Sequence, residues 1–232
     1  MRLLLLSNST QHGRSMLDHA EVAVRDHLAG VSSVVFVPFA LKDHDAYTGV
    51  VAERLRALDV EVRGLHDFED SVEAIEAAEA VYVGGGNTFR LLRELRLRKL
   101  LDSLRERVLE GMPYMGASAG TNVACPTIRT TNDMPIADPK GFGALDLVPF
   151  QINCHYLDAP DASTHMGETR EKRIEEYLEE NTKPVLALRE GTWLRMVDDE
   201  LALYGLRPAR LFRRGKSPQE INSPAELDEL LG

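Results

Sequence analysis

Tyr114-Met115-Gly116-Ala117-Ser118-Ala119-Gly120 reads Gly-x-Ser-x-Gly at its centre and follows an apolar run that starts at Pro113. Residues 121–124 can continue as a helix, so the stretch predicts a strand, a sharp turn at Ser118 and a helix. Flanking glycines suit such a turn, because a β-carbon beside a strained serine would crowd the backbone. Two interpretations follow. Ser118 is either a capping serine or the nucleophile of an elbow, with the Ala119 N–H facing a developing oxyanion at the helix start.

Strands and helices alternate along the first half of the chain. Continuous apolar runs at 3–6, 34–37 and 80–83 are typical of strands buried on both faces. Helical patterns occupy 16–28, 47–58, 71–78 and 88–110, with Ser71 as a capping residue, and a shorter strand is expected at 60–62. This alternation predicts an α/β fold with a mostly parallel, doubly wound sheet, in which ligands bind beyond the carboxyl ends of the strands.

The second half of the chain changes pattern. Short strands at 192–197, 201–204 and 209–212, separated by turn residues, predict a C-terminal antiparallel extension of the sheet. Residues 216–232 are expected to form a polar C-terminal tail with one short helix. Since no linker or repeat is visible, residues 1–232 are predicted to form a single α/β domain.

Composition excludes several classes of protein. The net charge is −10 and the acidic residues are spread along the chain, so no basic patch favours nucleic acid or an anionic membrane. The apolar start at 3–6 is too short for a secretory signal, and no apolar run reaches the roughly 20 residues of a membrane span. Two cysteines form no disulfide framework, so a reducing cytoplasm is expected.

A nucleophilic serine needs a base, and the base needs an orienting acid. His155 directly follows the apolar strand predicted at 148–153, which places it at the same edge of the sheet as Ser118. A packed or capping strand-end histidine is the alternative. Glu190 ends another strand, and Asp133 lies in the long polar loop after the elbow, so either carboxylate can be the acid.

The second distinctive loop is Gly84-Gly85-Gly86-Asn87-Thr88, which follows a buried strand. It lacks the lysine of a Walker loop, and Phe89 stands where a dinucleotide fingerprint has its third glycine. An N–H from Gly85 or Gly86 fits an oxyanion hole, and a tight turn with Asn87 as N-cap is compatible with that role. The sequence has no His-x-x-x-His or Cys-x-x-Cys pattern, so no metal and no cofactor is expected.

These motifs resemble those of peptidase E, the aspartyl dipeptidase family of serine peptidases. The most specific stretches are 84–89, 116–120 and Ala124-Cys125-Pro126-Thr127-Ile128-Arg129-Thr130-Thr131-Asn132-Asp133-Met134-Pro135, and the resemblance runs nearly end to end. It implies a fold similar to class I glutamine amidotransferases. It also implies hydrolysis of dipeptides with an N-terminal aspartate. The expected partner is thus a small dipeptide, bound by a monomer or homodimer.

The resemblance assigns Ser118 as nucleophile and His155 as base, and it allows either Asp133 or Glu190 as the third member. Glu190 is favoured because it ends a core strand. In the amidotransferases the His and Glu lie two residues apart, whereas here they are 190 − 155 = 35 apart.

An N-terminal aspartate needs a cation, and a bidentate arginine suits a carboxylate. Arg170 and Arg129 are the candidates for that contact, with salt bridging on a helix surface as the alternative. Asn87 or Asn132 is expected to bind the free amine of the substrate. The long loops at 125–143 and 156–166 are expected to wall the site.

Two competing functions remain open. A hydrolase similar to cyanophycinase would share the serine elbow and cleave β-linked aspartyl bonds. A non-catalytic binding module on the same scaffold would keep the fold and lack a reactive serine.

Overall fold

A computed structural model of the chain describes residues 1–158 and 168–232. The strands are β1 (Arg2–Leu6), β2 (Ser33–Val37), β3 (Glu61–Gly64), β4 (Val81–Val83), β5 (Tyr114–Ala117), β6 (Gln151–Asn153), β7 (Val185–Ala187), β8 (Thr192–Val197), β9 (Glu200–Gly205), β10 (Ala209–Phe212), β11 (Gln219–Ile221) and β12 (Ala225–Glu226). The α-helices are α1 (Glu21–His27), α2 (His44–Arg56), α3 (Ser71–Glu76), α4 (Thr88–Leu97), α5 (Leu100–Leu109), α6 (Ala119–Ala124) and α7 (Arg170–Glu180).

The main sheet has eight strands in the order β12-β9-β8-β1-β5-β4-β2-β3. The five strands from β1 to β3 in that order pair in parallel, and β8, β9 and β12 extend the sheet in antiparallel fashion. The predicted α/β class with a mostly parallel sheet is therefore confirmed. So is an antiparallel extension, although only two of its three predicted strands, β8 and β9, belong to this sheet.

A second sheet of four strands, in the order β11-β10-β7-β6, corrects the predicted placement of two site residues. Strands β6 and β7 pair in parallel, and β10 and β11 add to β7 in antiparallel fashion. His155 and Glu190 follow β6 and β7, so they emerge from this second sheet and not from the main one. The prediction that His155 and Glu190 each follow a strand is confirmed, whereas the prediction that they share one sheet edge with Ser118 is wrong.

Alternate side chains of β1 enter two different cores, which explains its continuous leucine run. Leu3 and Leu5 belong to the core cluster that contains buried side chains of α3, α4, α5 and α6, while Leu4 and Leu6 belong to the cluster that contains those of α1 and α2. The sheet thus has helices on both faces, as a doubly wound arrangement requires. Among the described residues, none of these helices combines the length and apolar character needed to cross a bilayer.

Several element boundaries differ from the predicted ones for local reasons. The helix expected at 88–110 is two helices, because Lys99 adopts a left-handed conformation with φ 57° between them. The helix expected at 16–28 begins only at Glu21, after a 3-10 turn, and α3 is capped by Asp70 instead of Ser71. The segment predicted as a polar tail forms β11, β12 and a 3-10 turn at Asp228–Leu230.

His27, the last residue of α1, makes folding stability depend on pH. Its side chain is buried, and burial, aided by Arg2 and Arg195, lowers its pKa to about 3. The unfolded chain takes up this proton near pH 6.5, so the free energy of unfolding falls as the pH drops from about 6.5 towards 3. One proton corresponds to about 1.4 kcal/mol per pH unit. Urea unfolding of wild type and His27→Gln at pH 7 and 5 measures this loss of stability. An equal pH dependence of the free energy of unfolding in both proteins would refute the role of His27.

Candidate active site

Ser118 sits in a strained turn between β5 and α6. Its backbone has φ 52° and ψ −107°, and its N–H donates to the Leu6 carbonyl at 3.0 Å. A β-carbon at Gly116 would lie 2.7 Å from the Gly120 carbonyl oxygen, and one at Gly120 would collide with the Val83 carbonyl. Both glycines of the Gly-x-Ser-x-Gly pattern are therefore required by close backbone packing.

The side chains of Ser118, His155 and Glu190 form a continuous hydrogen-bonded row. Nε2 of His155 lies 2.9 Å from Oγ of Ser118, and Nδ1 of His155 lies 2.8 Å from Oε1 of Glu190. His155 itself has a left-handed backbone with φ 54°. The structure thus brings together three of the four side chains predicted for catalysis.

Asp133, the fourth, is directed elsewhere. Its Oδ2 accepts hydrogen bonds from the Thr88 N–H at 2.7 Å and from the Thr88 hydroxyl at 2.6 Å. The carboxylate satisfies the first turn of α4, where helices leave N–H groups without intrahelical acceptors. The expectation that Asp133 could orient His155 is corrected, because Glu190 occupies that position.

A cleft of about 300 Å³ opens beside Ser118 and His155. It is lined by Asn8, Ser9, Thr10, Leu41, Tyr47, Gly85, Gly86, Ser118 and His155. The Gly85 N–H donates to the Tyr47 hydroxyl at 2.8 Å, so the donor predicted for the oxyanion hole already has an acceptor in this structure. The Gly86 N–H finds no acceptor within 1–158 and 168–232, and Ala119 is the first residue of α6. These two N–H groups remain the candidates for binding an oxyanion.

The two asparagines predicted to bind the substrate amine hold loops together. Asn87 caps α4, accepting from the Arg90 N–H at 3.0 Å, and its amide donates to the Met134 carbonyl at 2.8 Å. The Asn132 amide donates to the Cys154 carbonyl at 2.7 Å. Neither side chain lines the cleft, so these contacts do not bring them to a substrate amine.

The two candidate arginines have different surroundings. Arg129 is exposed, and its guanidinium lies 4.3 Å from the centre of the Phe142 ring, away from the cleft. Arg170 is half-buried and donates a hydrogen bond to the His155 carbonyl. Burial lowers the pKa of Arg170, while the charge of Glu190 opposes the shift. The structure therefore brings Arg170, and not Arg129, to the hydrogen-bonded row.

Sequence reasoning missed two polar residues directly after β1. The buried Ser7 hydroxyl accepts from the His155 N–H at 3.0 Å and donates to the Leu188 carbonyl at 2.9 Å. Oδ1 of Asn8 accepts from the Gly191 N–H at 2.8 Å. The available signal was their position at the carboxyl end of the strand beside β5. The predicted loop at 156–166 lies outside the described residues from 159 onwards.

Within residues 1–158 and 168–232, one group of side chains has the ligand atoms to hold a cation. Asp45, His66 and Asp67 offer ligand atoms within 4.8 Å of one another. The His66 Nε2 already pairs with Asp45 at 2.9 Å and lies 3.5 Å from Asp67. None of the three lines the cleft at Ser118, and the absence of a metal and a cofactor stays a prediction.

The chain is similar to known proteins in sequence and in fold. Peptidase E of Streptomyces coelicolor is 55% identical over 231 residues, covering 100% of this chain and 95% of that protein. A Drosophila melanogaster protein named "Probable alpha-aspartyl dipeptidase" is 50% identical over 232 residues, covering 99% and 97%. The crystal structure of a peptidase from an acI-B1 actinobacterium superposes with a TM-score of 0.70 at 14% identity, covering 97% and 96%, and so shares the fold. The model of peptidase family S51 matches residues 3–204, which confirms the predicted resemblance to peptidase E, and the chain belongs to this peptidase family.

Proposed function

We propose that this chain is an α-aspartyl dipeptidase that hydrolyses dipeptides with an N-terminal aspartate through an acyl-enzyme on Ser118. The observation that carries the proposal is the row Ser118–His155–Glu190, joined at 2.9 and 2.8 Å on a strained elbow. The names of the relatives from Streptomyces and Drosophila support the substrate class.

Acylation follows from the positions of these atoms. Nδ1–H of His155 donates to Glu190, which leaves Nε2 free to accept the Ser118 hydroxyl proton. Oγ of Ser118 then attacks the carbonyl carbon of the aspartyl residue. The N–H groups of Gly86 and Ala119 bind the developing oxyanion, and Glu190 stabilises the imidazolium.

The proton taken from Ser118 completes acylation, and a proton from water serves deacylation. His155 gives the Ser118 proton to the leaving amine, and the peptide bond breaks to leave an aspartyl ester on Ser118. A water molecule then transfers a proton to Nε2 and attacks the ester. Collapse of the second oxyanion breaks the ester bond and releases aspartate, while Nε2 of His155 returns its proton to Oγ and restores the Ser118 hydroxyl.

The proposal includes a likeness to class I glutamine amidotransferases, with the nucleophile between a strand and a helix. The spacing of 190 − 155 = 35 residues between base and acid has a simple physical origin. The two residues follow neighbouring parallel strands, β6 and β7, and α7 lies between those strands in the chain. Parallel neighbours need such a crossover, so the long sequence interval still places the side chains side by side.

Substrate recognition is assigned to Arg170. Its side chain is half-buried beside His155, and a guanidinium keeps further N–H donors after one is used on the His155 carbonyl. Two parallel N–H donors match the aspartate carboxylate of a substrate.

We further propose that the chain forms one domain and acts as a monomer or homodimer. A reducing cytoplasm suits its two free buried thiols, Cys125 and Cys154.

Arg170→Ala is expected to raise KM for Asp-Leu by about 10- to 100-fold, because a partly desolvated carboxylate loses its cation. The kcat of Arg170→Ala should also fall, because the His155 carbonyl loses a hydrogen-bond donor. Arg173→Ala is the matched control, as Arg173 is exposed and pairs with Glu168 at 3.5 Å. Steady-state kinetics measures both variants. An unchanged KM for Asp-Leu would remove Arg170 from the substrate site.

Initial rates on four substrates test the proposed function. Asp-Leu is expected to be cleaved much faster than Glu-Leu, N-acetyl-Asp-Leu or β-Asp-Leu. Preference for the β-linked compound would favour the cyanophycinase-like alternative. A chain inert towards all four and unlabelled by a fluorophosphonate would favour the binding module.

A further inference from the structure

Three consecutive residues, the last of β1 and the two that follow it, contact the backbone of Ser118, of His155 and of the residue after Glu190. The Leu6 carbonyl accepts from the Ser118 N–H at 3.0 Å. The Ser7 hydroxyl accepts from the His155 N–H at 3.0 Å. The Asn8 side chain accepts at 2.8 Å from the N–H of Gly191, the residue after Glu190.

The Ser7 contact acts where the backbone needs support. His155 has φ 54°, and a non-glycine residue in this left-handed region is strained because its β-carbon crowds the backbone. Such a conformation persists only when its surroundings over-determine it. The Ser7 hydroxyl is fully buried and also donates to the Leu188 carbonyl at 2.9 Å, so one side chain ties the end of β6 to the end of β7.

The Asn8 contact supports the acid in the same way. Asn8 is buried, and its amide donates to the Thr10 carbonyl at 2.8 Å, which fixes the direction of its Oδ1. Gly191 turns with φ 83°, directly after Glu190. The Asn8–Gly191 bond therefore sets the turn from which the Glu190 side chain projects.

These bonds matter because the nucleophile and its partners belong to different sheets. Ser118 follows β5 of the main sheet, whereas His155 and Glu190 follow strands of the second sheet. Within the described residues no strand pairing joins the two sheets, so no ladder fixes the distance between nucleophile and base. We propose that Ser7 and Asn8 are positioning residues of the triad, holding the base and the acid of the second sheet in place against the nucleophile of the first.

This inference rests on the proposed catalytic role of Ser118, and its test uses nucleophile reactivity instead of dipeptide hydrolysis. The second-order rate constant for fluorophosphonate labelling is measured for wild type, Ser7→Ala, Asn8→Ala and Thr130→Val. A displacement of about 1 Å costs on the order of 100-fold, so Ser7→Ala is expected to label about 10- to 100-fold more slowly. Asn8→Ala gives a smaller loss, because the acid acts on Ser118 only through His155.

Thr130→Val is the matched control for the lost hydroxyl. Thr130 is also buried and its hydroxyl donates to the Ile152 carbonyl at 2.8 Å, yet in the described part of the chain it makes no hydrogen bond to a triad residue. The folding stability of Thr130→Val is expected to fall like that of Ser7→Ala, while its labelling rate stays within about twofold of wild type. Low-field proton NMR of the His155 Nδ1–H adds a second readout, and this resonance should shift or broaden in Asn8→Ala.

The outcomes separate the two claims. Labelling of Ser7→Ala at the rate of Thr130→Val, with an unchanged Nδ1–H resonance in Asn8→Ala, overturns the positioning role and leaves the proposed nucleophile standing. Wild-type protein that resists labelling overturns the proposed function and this inference together. Slow labelling of Ser7→Ala with normal Thr130→Val supports the inference, whichever dipeptide proves to be the substrate.

Discussion

Ser118→Ala is expected to lower kcat/KM for Asp-Leu by on the order of 10⁴- to 10⁶-fold, the range found when a triad serine is removed. The loss is this large because no other atom can form the acyl-enzyme, and only oxyanion binding and substrate positioning remain. The melting temperature should change little. Alanine at φ 52° is strained much as serine is, and the Ser118 N–H to Leu6 bond is kept.

The control for this variant is Ser217→Ala, at an exposed position far along the chain. It should retain wild-type kinetics. A Ser118→Ala protein that kept a tenth or more of the wild-type kcat/KM, after purification free of other peptidases, would contradict the role of Ser118.

Glu190→Gln is expected to lower activity, whereas Asp133→Asn is expected to lower folding stability. Glu190→Gln keeps the size of the side chain and removes the charge beside Nδ1 of His155, so kcat/KM should fall by about 10²- to 10⁴-fold. The lower half of that range is expected, because the Glu190 side chain is 47% exposed and water can replace part of its effect. Asp133→Asn should instead cost about 0.5–2 kcal/mol of folding stability, since it weakens the acceptor for Thr88 at the start of α4.

Steady-state kinetics and urea unfolding on both variants measure this crossed pattern. A larger loss of kcat/KM in Asp133→Asn than in Glu190→Gln would reverse the assignment of the acid. Each variant serves as the matched control of the other, because both replace a carboxylate by its amide.

The elbow could be predicted from sequence because its determinants are local. Two glycines, a serine and an apolar lead-in lie within a few residues, and the structure shows the steric need for Gly116 and Gly120. The strand ends carrying His155 and Glu190 were also predictable, since each follows a short apolar run. Their sheet was not predictable, because strand pairing is set by contacts between distant segments.

The polar loop residues show a different limit of sequence reasoning. Asn87, Asn132 and Asp133 looked like substrate or catalytic groups, and in the fold they satisfy backbone or hydroxyl groups of neighbouring loops. Short polar side chains serve both purposes, and a sequence does not distinguish a cap from a ligand contact. The roles of Ser7 and Asn8 cannot be predicted from local sequence, because their partners lie 148 and 183 residues away.

The C-terminal segment forms strands although its composition is polar. Residues 219–226 read as polar because β11 and β12 are short edge strands whose side chains mostly face solvent. Their backbone pairs with β10 and β9, which side-chain composition does not reveal. Leu227 and Leu230, both buried, were the available signal that this segment packs on the fold.

The most direct measurement of the central claim is fluorophosphonate labelling followed by peptide mapping, with and without saturating Asp-Leu. If the chain is an α-aspartyl dipeptidase that acts through Ser118, we expect one labelled site, Ser118. Asp-Leu should protect this site from labelling, and Glu-Leu at the same concentration should not. Labelling at another residue, or labelling of Ser118 that Asp-Leu and Glu-Leu suppress equally, would contradict it.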